Sequence, residues 1–224
     1  MAQFIENEAL AVVLQVRDGR LQVLLWERAR EPFLGAWSLP GGALGADETL
    51  EASIRRHLAA KVDVRELAHL EQLETCSDPR RHPDRRLIAT AYVGLVPTHV
   101  DPRVPEDTDW HPVDELPRLA FDHSDIALSG RERLRAKLSY TNIGFALAPP
   151  EFTIAELRVL YRAALGHDVS ATNLQRVLLR RGLLEPTGER RAPGPEGGRP
   201  AAVFRFRRRV LEVTDPFAVL KPPR

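Results

Sequence analysis

The chain has 224 residues, of which 43% are hydrophobic and 28% are charged, and its formal net charge is +1. This length and balance are typical of a globular protein with one large domain or two small ones. The single cysteine, Cys76, excludes an internal disulfide framework, and no apolar run approaches the ~18 residues that cross a membrane. We therefore expect a cytoplasmic protein with no membrane partner.

The charge is distributed unevenly along the chain. Between Arg176 and Arg209 there are ten arginines and three glutamates, a net charge of +7, so the rest of the chain carries about −6. An acidic first part followed by a basic part suggests two functions, one of which is nucleic-acid binding.

The first part of the chain contains several predicted strands. Residues 9–16 and 21–26 are apolar runs joined across the Asp18-Gly19 pair, which predicts a β-hairpin. A loop rich in glycine and proline follows over residues 32–42. The nearly continuous apolar run at residues 87–96 is typical of a strand in the middle of a sheet.

One helix is predicted between these strands. From Thr49 to Val62, apolar residues recur every four positions at Leu50, Ile54 and Leu58, which indicates a helix with one buried face. Strands before and after a single helix predict an α+β fold with a mixed sheet.

The second part is predicted to be mainly helical, starting with a charged helix over residues 125–138. Thr153 and Glu156 have the spacing of a capping box, which opens a helix that ends at Gly166. Ser170 is suited to cap the next helix. Two short helices joined by a short turn are typical of a helix-turn-helix.

A strand pattern follows these helices. Residues 202–207, AVFRFR, alternate apolar residues with arginine after a loop rich in glycine, proline and arginine. This pattern predicts a hairpin wing, so the second domain is expected to be an α-rich winged helix-turn-helix.

A spaced set of residues surrounds the first predicted helix, running from Gly42 through Glu48 and Arg56 to Val64. This pattern resembles the Nudix box. In that family the box is a glycine, five residues, a glutamate, seven residues and then R-E-U-x-E-E-x-G-U, where U is a bulky aliphatic residue. The flanking segments WSLPGG and WHPVDELP also resemble the family, so the resemblance covers about residues 8–119. Matching residues stand at five positions of the box: Gly42, Glu48, Arg56, Leu58 and Val64.

The second half of the box departs from the family pattern. His57, Ala60 and Lys61 stand where the family has glutamates, and Asp63 replaces its second glycine. The resemblance implies that those glutamates hold magnesium, which prefers anionic oxygen ligands and is repelled by an ammonium group. We therefore predict that the domain is catalytically inactive, with no catalytic residue and no bound metal.

Lys61 suggests another use of the same site. Its ammonium group could balance the charge of a diphosphate without a metal, with Arg55 or Arg56 beside it. The alternative is that Lys61 is a solvated residue on a retired site, and the sequence leaves both open. Glu48 and Arg56 are expected to pair with each other and hold the loop on the helix.

Four segments of the second half of the chain carry a further resemblance: LAFDH, KLSYTNIGFAL, RRGLLEPTGERR and GGRPAAVFRF. With these segments, the chain as a whole resembles the Nudix-related transcriptional regulators of the NrtR type. It implies a homodimeric repressor of NAD-metabolism genes that senses ADP-ribose or a related nucleotide and requires no cofactor. The expected partners are palindromic double-stranded operator DNA and the nucleotide-sugar effector.

The predicted DNA-binding residues lie on the second short helix and on the wing. Asn, Gln and Arg side chains are able to pair with base edges in the major groove, whereas arginines on the wing suit phosphate contacts. The Gly198-Arg199-Pro200 turn suits a narrow minor groove. The alternative is a solvated arginine-rich face. The predicted residues are Thr172, Asn173, Gln175, Arg176, Arg180, Arg190, Arg191, Arg199, Arg205 and Arg207.

Asp122 and His123 stand where the first domain ends. We predict that they belong to the ligand site and report its occupancy, although a structural hydrogen-bonding role is the alternative. One cysteine and seven scattered histidines give no zinc signature.

The predicted organisation has three parts. Residues 1–120 form a ligand-sensing domain, residues 121–145 a connector helix and residues 146–212 the DNA-binding domain. The expected function is repression that the ligand relieves. Two rival functions remain, an active ADP-ribose pyrophosphatase with a basic nucleic-acid-binding tail and a module that binds RNA or another protein.

Overall fold

The computed structural model describes residues 5–192 and 200–215, which fall into two compact units. Unit 1 comprises the described parts of Met1–Gln15, Leu21–Val96 and Val100–Arg133. Unit 2 comprises Val16–Arg20, Pro97–His99 and the described part of Leu134–Arg224. No helix within the described ranges combines the length and the apolar character of a membrane span.

A seven-stranded mixed sheet forms the framework of the first part of the chain, as the apolar runs predict. Five strands lie in the order β3-β2-β1-β6-β5, while β4 pairs with β1 and β7 pairs with β2. Strand β1 is parallel to β6, and β5 is antiparallel to β6. The strands are β1 (Glu6–Arg17), β2 (Arg20–Glu27), β3 (Trp37–Ser38), β4 (Gly41–Ala43), β5 (His69–Cys76), β6 (Leu87–Leu95) and β7 (Thr108–Pro112).

The predicted hairpin between β1 and β2 is present. Asp18 and Gly19 both have positive φ, 50° and 73°, which is the conformation of a two-residue type I′ turn. Aspartate and glycine are among the residues that adopt this conformation most readily, so the local sequence decides the turn.

Helix α1 (Leu50–Lys61) is the helix predicted within the box. The Thr49 side chain accepts a hydrogen bond from the backbone N–H of Ala52 and caps its start. Ile54, Leu58 and Val62 are fully buried in a core that includes Leu24 of β2 and Tyr92 of β6. These contacts hold α1 against the sheet.

Helix α2 (His123–Tyr140) begins in unit 1 and continues into unit 2. It is two residues longer at each end than the charged helix predicted from the sequence. It also ends five residues before the predicted end of the connector at 145. The Thr141 hydroxyl donates to the Lys137 carbonyl and accepts from the backbone N–H of Ile143, which ends the helix and starts the 3-10 turn Ile143–Ala146.

Unit 2 contains the predicted winged helix-turn-helix. Helix α3 starts with the predicted capping box, and Gly166 ends it in the left-handed conformation. The core packs aromatic residues of the sheet, Phe152 and Phe206 with ring centroids 5.4 Å apart, beside Leu178 of the second helix. The elements are α3 (Ile154–Leu165), α4 (Ala171–Arg180), β8 (Phe152–Thr153), β9 (Leu184–Arg191) and β10 (Ala201–Phe206), with the three strands in the order β8-β10-β9.

A segment after the wing, residues 207–215, is here called the strap. Its backbone pairs with the end of α2, because Glu212 and Asn142 exchange hydrogen bonds of 2.8 and 3.1 Å and Thr214 N–H donates to the Tyr140 carbonyl. Arg181, at the end of α4, donates to Thr214 Oγ1 and to the Thr141 carbonyl. The strap therefore joins α2 and α4 within unit 2.

Five short or polar strands are absent from the sequence prediction. Strands β3 and β4 lie in the stretch predicted as a loop, β5 and β7 alternate too weakly to stand out, and β8 has only two residues. The loop prediction for residues 32–42 was therefore incomplete, since Trp37 and Gly41 take part in the sheet by backbone pairing.

Candidate ligand cavity and nucleic-acid interface

A cavity of about 700 Å³ lies in unit 1. Its walls come from β1, β2, β4, α1, the start of α2 and the loops that carry residues 28–32 and 82–85. Five cations and three carboxylates line it, together with the rings of Trp26 and Phe121. The cations are Arg28, Arg30, Arg56, Lys61 and Arg85, and the carboxylates are Glu8, Glu31 and Asp84.

The first half of the box holds the loop before α1. Arg56 Nε donates to Glu48 Oε2 at 2.9 Å, and Glu48 Oε1 accepts from the backbone N–H of Gly45 at 2.7 Å. The hydrogen bonds from Arg56 lower the pKa of Glu48 to about 2. The expected pairing of Glu48 with Arg56 is confirmed, and Arg56 also lines the cavity.

The second half of the box does not fit a magnesium ion. His57 is buried, and its Nε2 lies 3.0 Å from the Ala43 carbonyl oxygen and 3.3 Å from Arg56 Nη2. Burial also lowers the pKa of His57 and keeps it neutral. A side chain at Gly42 would lie 2.6 Å from the His57 ring, which explains the glycine. Among the described residues, no group of three or more His, Cys, Asp or Glu could hold a metal.

Lys61 lies on the cavity wall in a fixed position. Its Nζ donates to the Gly41 carbonyl at 2.6 Å and lies 4.1 Å from the centroid of the Trp26 ring. Burial, followed by repulsion from Arg30 and Arg28, lowers the pKa of Lys61. These contacts place an ammonium group in the cavity where a family carboxylate would stand.

Arg55 lies on a different face of α1. Its side chain is half exposed and pairs with Glu51, four residues earlier, at 3.0 Å. It is not among the residues that line the cavity. The geometry therefore brings Arg56 and Lys61 together and leaves Arg55 at the surface.

His123 is the first residue of α2 and is 2% exposed. Its Nδ1 accepts a hydrogen bond from the backbone N–H of Leu39 at 3.1 Å and lies 2.9 Å from Ser38 Oγ. Burial lowers the pKa of His123 to about 3, so the ring is neutral with its proton on Nε2. His123 lines the cavity, and it also has the structural hydrogen bonds of the alternative interpretation.

Asp122 binds a buried arginine that the sequence analysis did not single out. Both carboxylate oxygens of Asp122 accept from Arg81, at 2.9 and 3.0 Å, and Arg81 also donates to Glu8 at 2.8 Å. The Arg81 side chain is only 2% exposed. Asp122 is not among the cavity-lining residues, whereas Glu8 is.

Helix α4 presents a polar surface to solvent. Thr172, Asn173, Arg176 and Arg180 are exposed and Gln175 is partly exposed, while Leu174 and Leu178 are buried on the opposite side. Arg176 Nη2 donates to Asn173 Oδ1 at 2.7 Å, which orients both side chains together. The exposed and buried positions follow the predicted helical pattern.

The predicted wing residues lie on β9 and β10 or directly after them. Arg190, Arg191, Arg205 and Arg207 are all exposed. Arg191 pairs with Glu156 and Arg205 with Glu185, so two of the four already have a carboxylate partner. Arg207 also lines a second cavity, of about 560 Å³, beside the strap. Arg199 lies outside the residues that the structure describes.

Two family models match the chain. The model of the NUDIX domain matches residues 7–129, more than half of the chain, and the model of the NrtR DNA-binding winged helix domain matches residues 144–206. The chain belongs to the NrtR family. This membership agrees with the resemblance carried by the box and the wing, and it joins the two units in one known architecture.

Relatives of known function have the same architecture. The ADPR responsive transcriptional repressor NtrR of Acinetobacter baylyi is 30% identical over 201 residues, which is 87% of this chain and 79% of the relative. The crystal structure of Shewanella oneidensis NrtR complexed with a 27mer DNA is 32% identical, with a TM-score of 0.75, and the match covers 89% of this chain and 93% of that one.

The NUDIX domain of Shewanella oneidensis NrtR has also been solved in complex with ADP ribose. It is 35% identical to this chain with a TM-score of 0.51, and the match covers 60% of this chain and 90% of that one. The NrtR winged helix here therefore accompanies a NUDIX domain whose relative binds a nucleotide sugar.

Several residues of the cavity were not found from the sequence. Arg28 and His82 line the cavity and the buried Arg81 lies beside it, bonded to Glu8. All three come from loops whose spacing carries no motif, and only contact in the folded chain brings them together. The LAFDH segment indicated one further cavity residue. Phe121 directly precedes the predicted ligand residues Asp122 and His123, and it lines the cavity together with His123.

Proposed function

We propose that this NrtR-family protein is a transcriptional repressor of NAD-metabolism genes whose DNA binding is relieved by ADP-ribose or a related nucleotide. One observation carries the proposal. The second half of the box places Lys61, not a carboxylate, on the wall of a 700 Å³ cavity, in a chain that also has a winged helix of the NrtR type.

The cavity suits a nucleotide sugar that binds without a metal. A diphosphate needs compensation of its charge, and Lys61, Arg28 and Arg85 supply cations within the cavity walls. Trp26 and Phe121 offer aromatic faces for a base or a sugar. The related NUDIX domain that was solved with ADP ribose supports this class of ligand.

We propose that the NUDIX domain of this chain does not hydrolyse its ligand. Hydrolysis in Nudix enzymes depends on carboxylates that hold magnesium, and this box offers His57, Ala60 and Lys61 instead. The retained Glu48 pairs with Arg56 and is thereby committed to holding the loop. The repressor function of the relative from Acinetobacter baylyi agrees with a non-catalytic role.

The DNA-binding surface consists of α4 and the wing. Asn173, Gln175 and Arg176 are the side chains that we propose to contact base edges, because their donors and acceptors match the major-groove pattern. The wing arginines would contact phosphates and strengthen binding to any sequence. The DNA complex of the related Shewanella oneidensis protein supports a duplex as the partner.

We propose the following assembly and the following role for each domain. A cytoplasmic homodimer places two winged helices on a palindromic operator. Residues 1–120 sense the ligand, residues 121–145 connect and residues 146–212 bind DNA. Ligand binding shifts the equilibrium between two states, with a coupling free energy of ~1–3 kcal/mol.

The decisive experiment uses fluorescence anisotropy of a labelled duplex from the upstream region of the protein's own operon. We expect the full chain to bind this duplex and to be released by ADP-ribose but not by NAD, with or without EDTA. A scrambled duplex of equal length is the control. Failure to bind any upstream duplex, or release only in the absence of EDTA, would contradict the proposal.

The same preparation distinguishes the rival functions. Release of AMP from ADP-ribose in the presence of magnesium, at turnover rates typical of enzymes, would favour the pyrophosphatase. Preference for structured RNA over the palindromic duplex would favour an RNA-binding module. We expect neither.

A further inference from the structure

Helix α2 begins at an ion triad that touches the ligand cavity and has a buried arginine at its centre. Arg81 donates to Glu8 of β1 and to both oxygens of Asp122, the residue directly before α2. Glu8 lines the cavity, whereas Arg81 is almost inaccessible. One guanidinium thus links a carboxylate on the cavity wall to the start of a long helix.

The residues on both sides of Asp122 are also held by the cavity wall. The Phe121 ring lies 4.7 Å below the Arg28 guanidinium and stacks on His82 at 5.2 Å, and its φ of 54° is unusual for a bulky residue. His123 Nδ1 accepts a hydrogen bond from the backbone N–H of Leu39. Three consecutive residues at the start of α2 are therefore fixed by groups that surround the ligand space.

We propose that the triad Glu8–Arg81–Asp122 transmits ligand occupancy from the cavity to α2, with Arg81 as the positioning residue. This inference rests on the proposed function and specifies its regulation. An anionic ligand entering the cavity repels the Glu8 carboxylate. Because Arg81 is buried and bonded to both carboxylates, displacement of Glu8 changes the hydrogen bonds that hold Asp122.

The charge of the triad supports a signalling role over a purely structural one. Two carboxylates share one guanidinium, so the triad carries a net charge of −1 beside a cavity proposed to bind an anion. For a site that only binds ligand, a carboxylate at Glu8 is unfavourable. The same repulsion is useful when binding has to move a neighbouring element.

Helix α2 is suited to carry such a displacement. It runs without interruption for 18 residues from His123 to Tyr140, and its described interior contains a single glycine, Gly130, whose absent side chain leaves room for Val12. The far end of α2 is fixed within unit 2 by Arg181 and the strap. A change at Asp122 therefore acts on an element that ends beside α4.

The test measures the ratio of the DNA dissociation constants with and without saturating ADP-ribose, on the full chain. The variants are Asp122→Asn and Glu8→Gln, which remove one charge from either end of the triad and keep the side-chain shape. Two matched controls stand nearby. Asp125→Asn removes an exposed charge from the same turn of α2, and Glu51→Gln removes one from an exposed ion pair with Arg55, outside the cavity.

We expect a ratio of at least 10 for the wild type and for both controls, and a ratio below 3 for Asp122→Asn and Glu8→Gln. We also expect Glu8→Gln to bind ADP-ribose 3- to 10-fold more tightly, because the repulsion is gone. A triad that only stabilised the fold would not increase ligand affinity. The second variant keeps the test decisive if Asp122→Asn does not fold.

The possible results distinguish a failure of the proposed role of the triad from a failure of the proposed function. Wild-type ratios retained by Asp122→Asn and Glu8→Gln would overturn the role of the triad and leave the proposed function standing. A ratio of 1 for the wild type would overturn the proposed function and the inference together.

Discussion

The cations of the cavity and the arginines of the winged helix differ in their exposure to solvent. Lys61 is partly buried, bonded to a carbonyl and stacked on Trp26, and Arg81 beside the cavity is 2% exposed. Arg176 and Arg205 of the winged helix are exposed. Positioned and desolvated charge selects an anion by shape, whereas solvated charge attracts any polyanion and is weakened by salt. The two cationic regions therefore suit two different kinds of anion.

Salt provides the largest expected contrast between the two regions. DNA binding that neutralises about eight phosphates should weaken roughly 1000-fold or more between 50 and 200 mM salt. Binding of ADP-ribose should change less than about 3-fold over the same range, since its partners are partly buried. Parallel titrations by anisotropy and calorimetry measure both. Equal salt dependence of the two affinities would contradict the proposed difference between the cavity cations and the arginines of the winged helix.

Lys61→Ala tests the positioned charge of the cavity directly. Loss of a hydrogen bond and ion pair to a diphosphate should weaken ADP-ribose binding by about 30-fold, with no effect of EDTA on the wild-type affinity. Arg55→Ala is the matched control, because Arg55 is a cation on the same helix that lies outside the cavity and pairs with Glu51. An equal loss for both variants would indicate a diffuse electrostatic effect.

The buried state of His123 predicts a dependence of stability on pH. Burial lowers its pKa from 6.5 to about 3, so the unfolded chain binds a proton between these values and the folded chain does not. Stability should therefore fall with decreasing pH, by about 2 kcal/mol from pH 7 to pH 5 for this residue. Urea unfolding of the wild type and His123→Gln measures the difference. His99→Gln, at an exposed histidine, should keep the wild-type slope.

Arg176→Ala should have the smallest effect of these changes on binding. It tests whether α4 and the wing differ in their contribution to sequence discrimination. Arg176 is held by Asn173 on the exposed face of α4, so its loss should reduce discrimination between operator and scrambled DNA by about 10-fold. Arg205→Ala on the wing should weaken binding to both duplexes equally and keep the discrimination. The reverse pattern would place base recognition on the wing.

Local signals were strong enough to predict most of the fold. The Asp18-Gly19 turn, the Thr153–Glu156 capping box and the periodic face of α1 each depend on interactions between residues close in sequence. The family resemblance placed the two domains in order. By contrast, β3 is only two residues long and is stabilised by pairing with β2, which no local pattern reveals.

The cavity was predicted only in part, for a physical reason. Lys61 and His123 were identified because a motif fixes their positions in the chain. Arg81 was missed, since Glu8 and Asp122 are 73 and 41 residues away from it and meet it only after the sheet has formed. Arg55 was predicted beside Lys61 from its proximity along the chain, but the turn of the helix points it to solvent.

The strap has a practical consequence for dissection of the protein. The winged-helix family model ends at residue 206, but residues 207–215 provide the backbone partners of Asn142 and the hydroxyl that Arg181 binds. A recombinant piece trimmed to 144–206 would lack both Asn142 and the strap and would leave Arg181 without Thr214, so it should melt at a lower temperature than a piece spanning 134–215. Affinity tags at the carboxyl end therefore belong beyond residue 215, with a spacer.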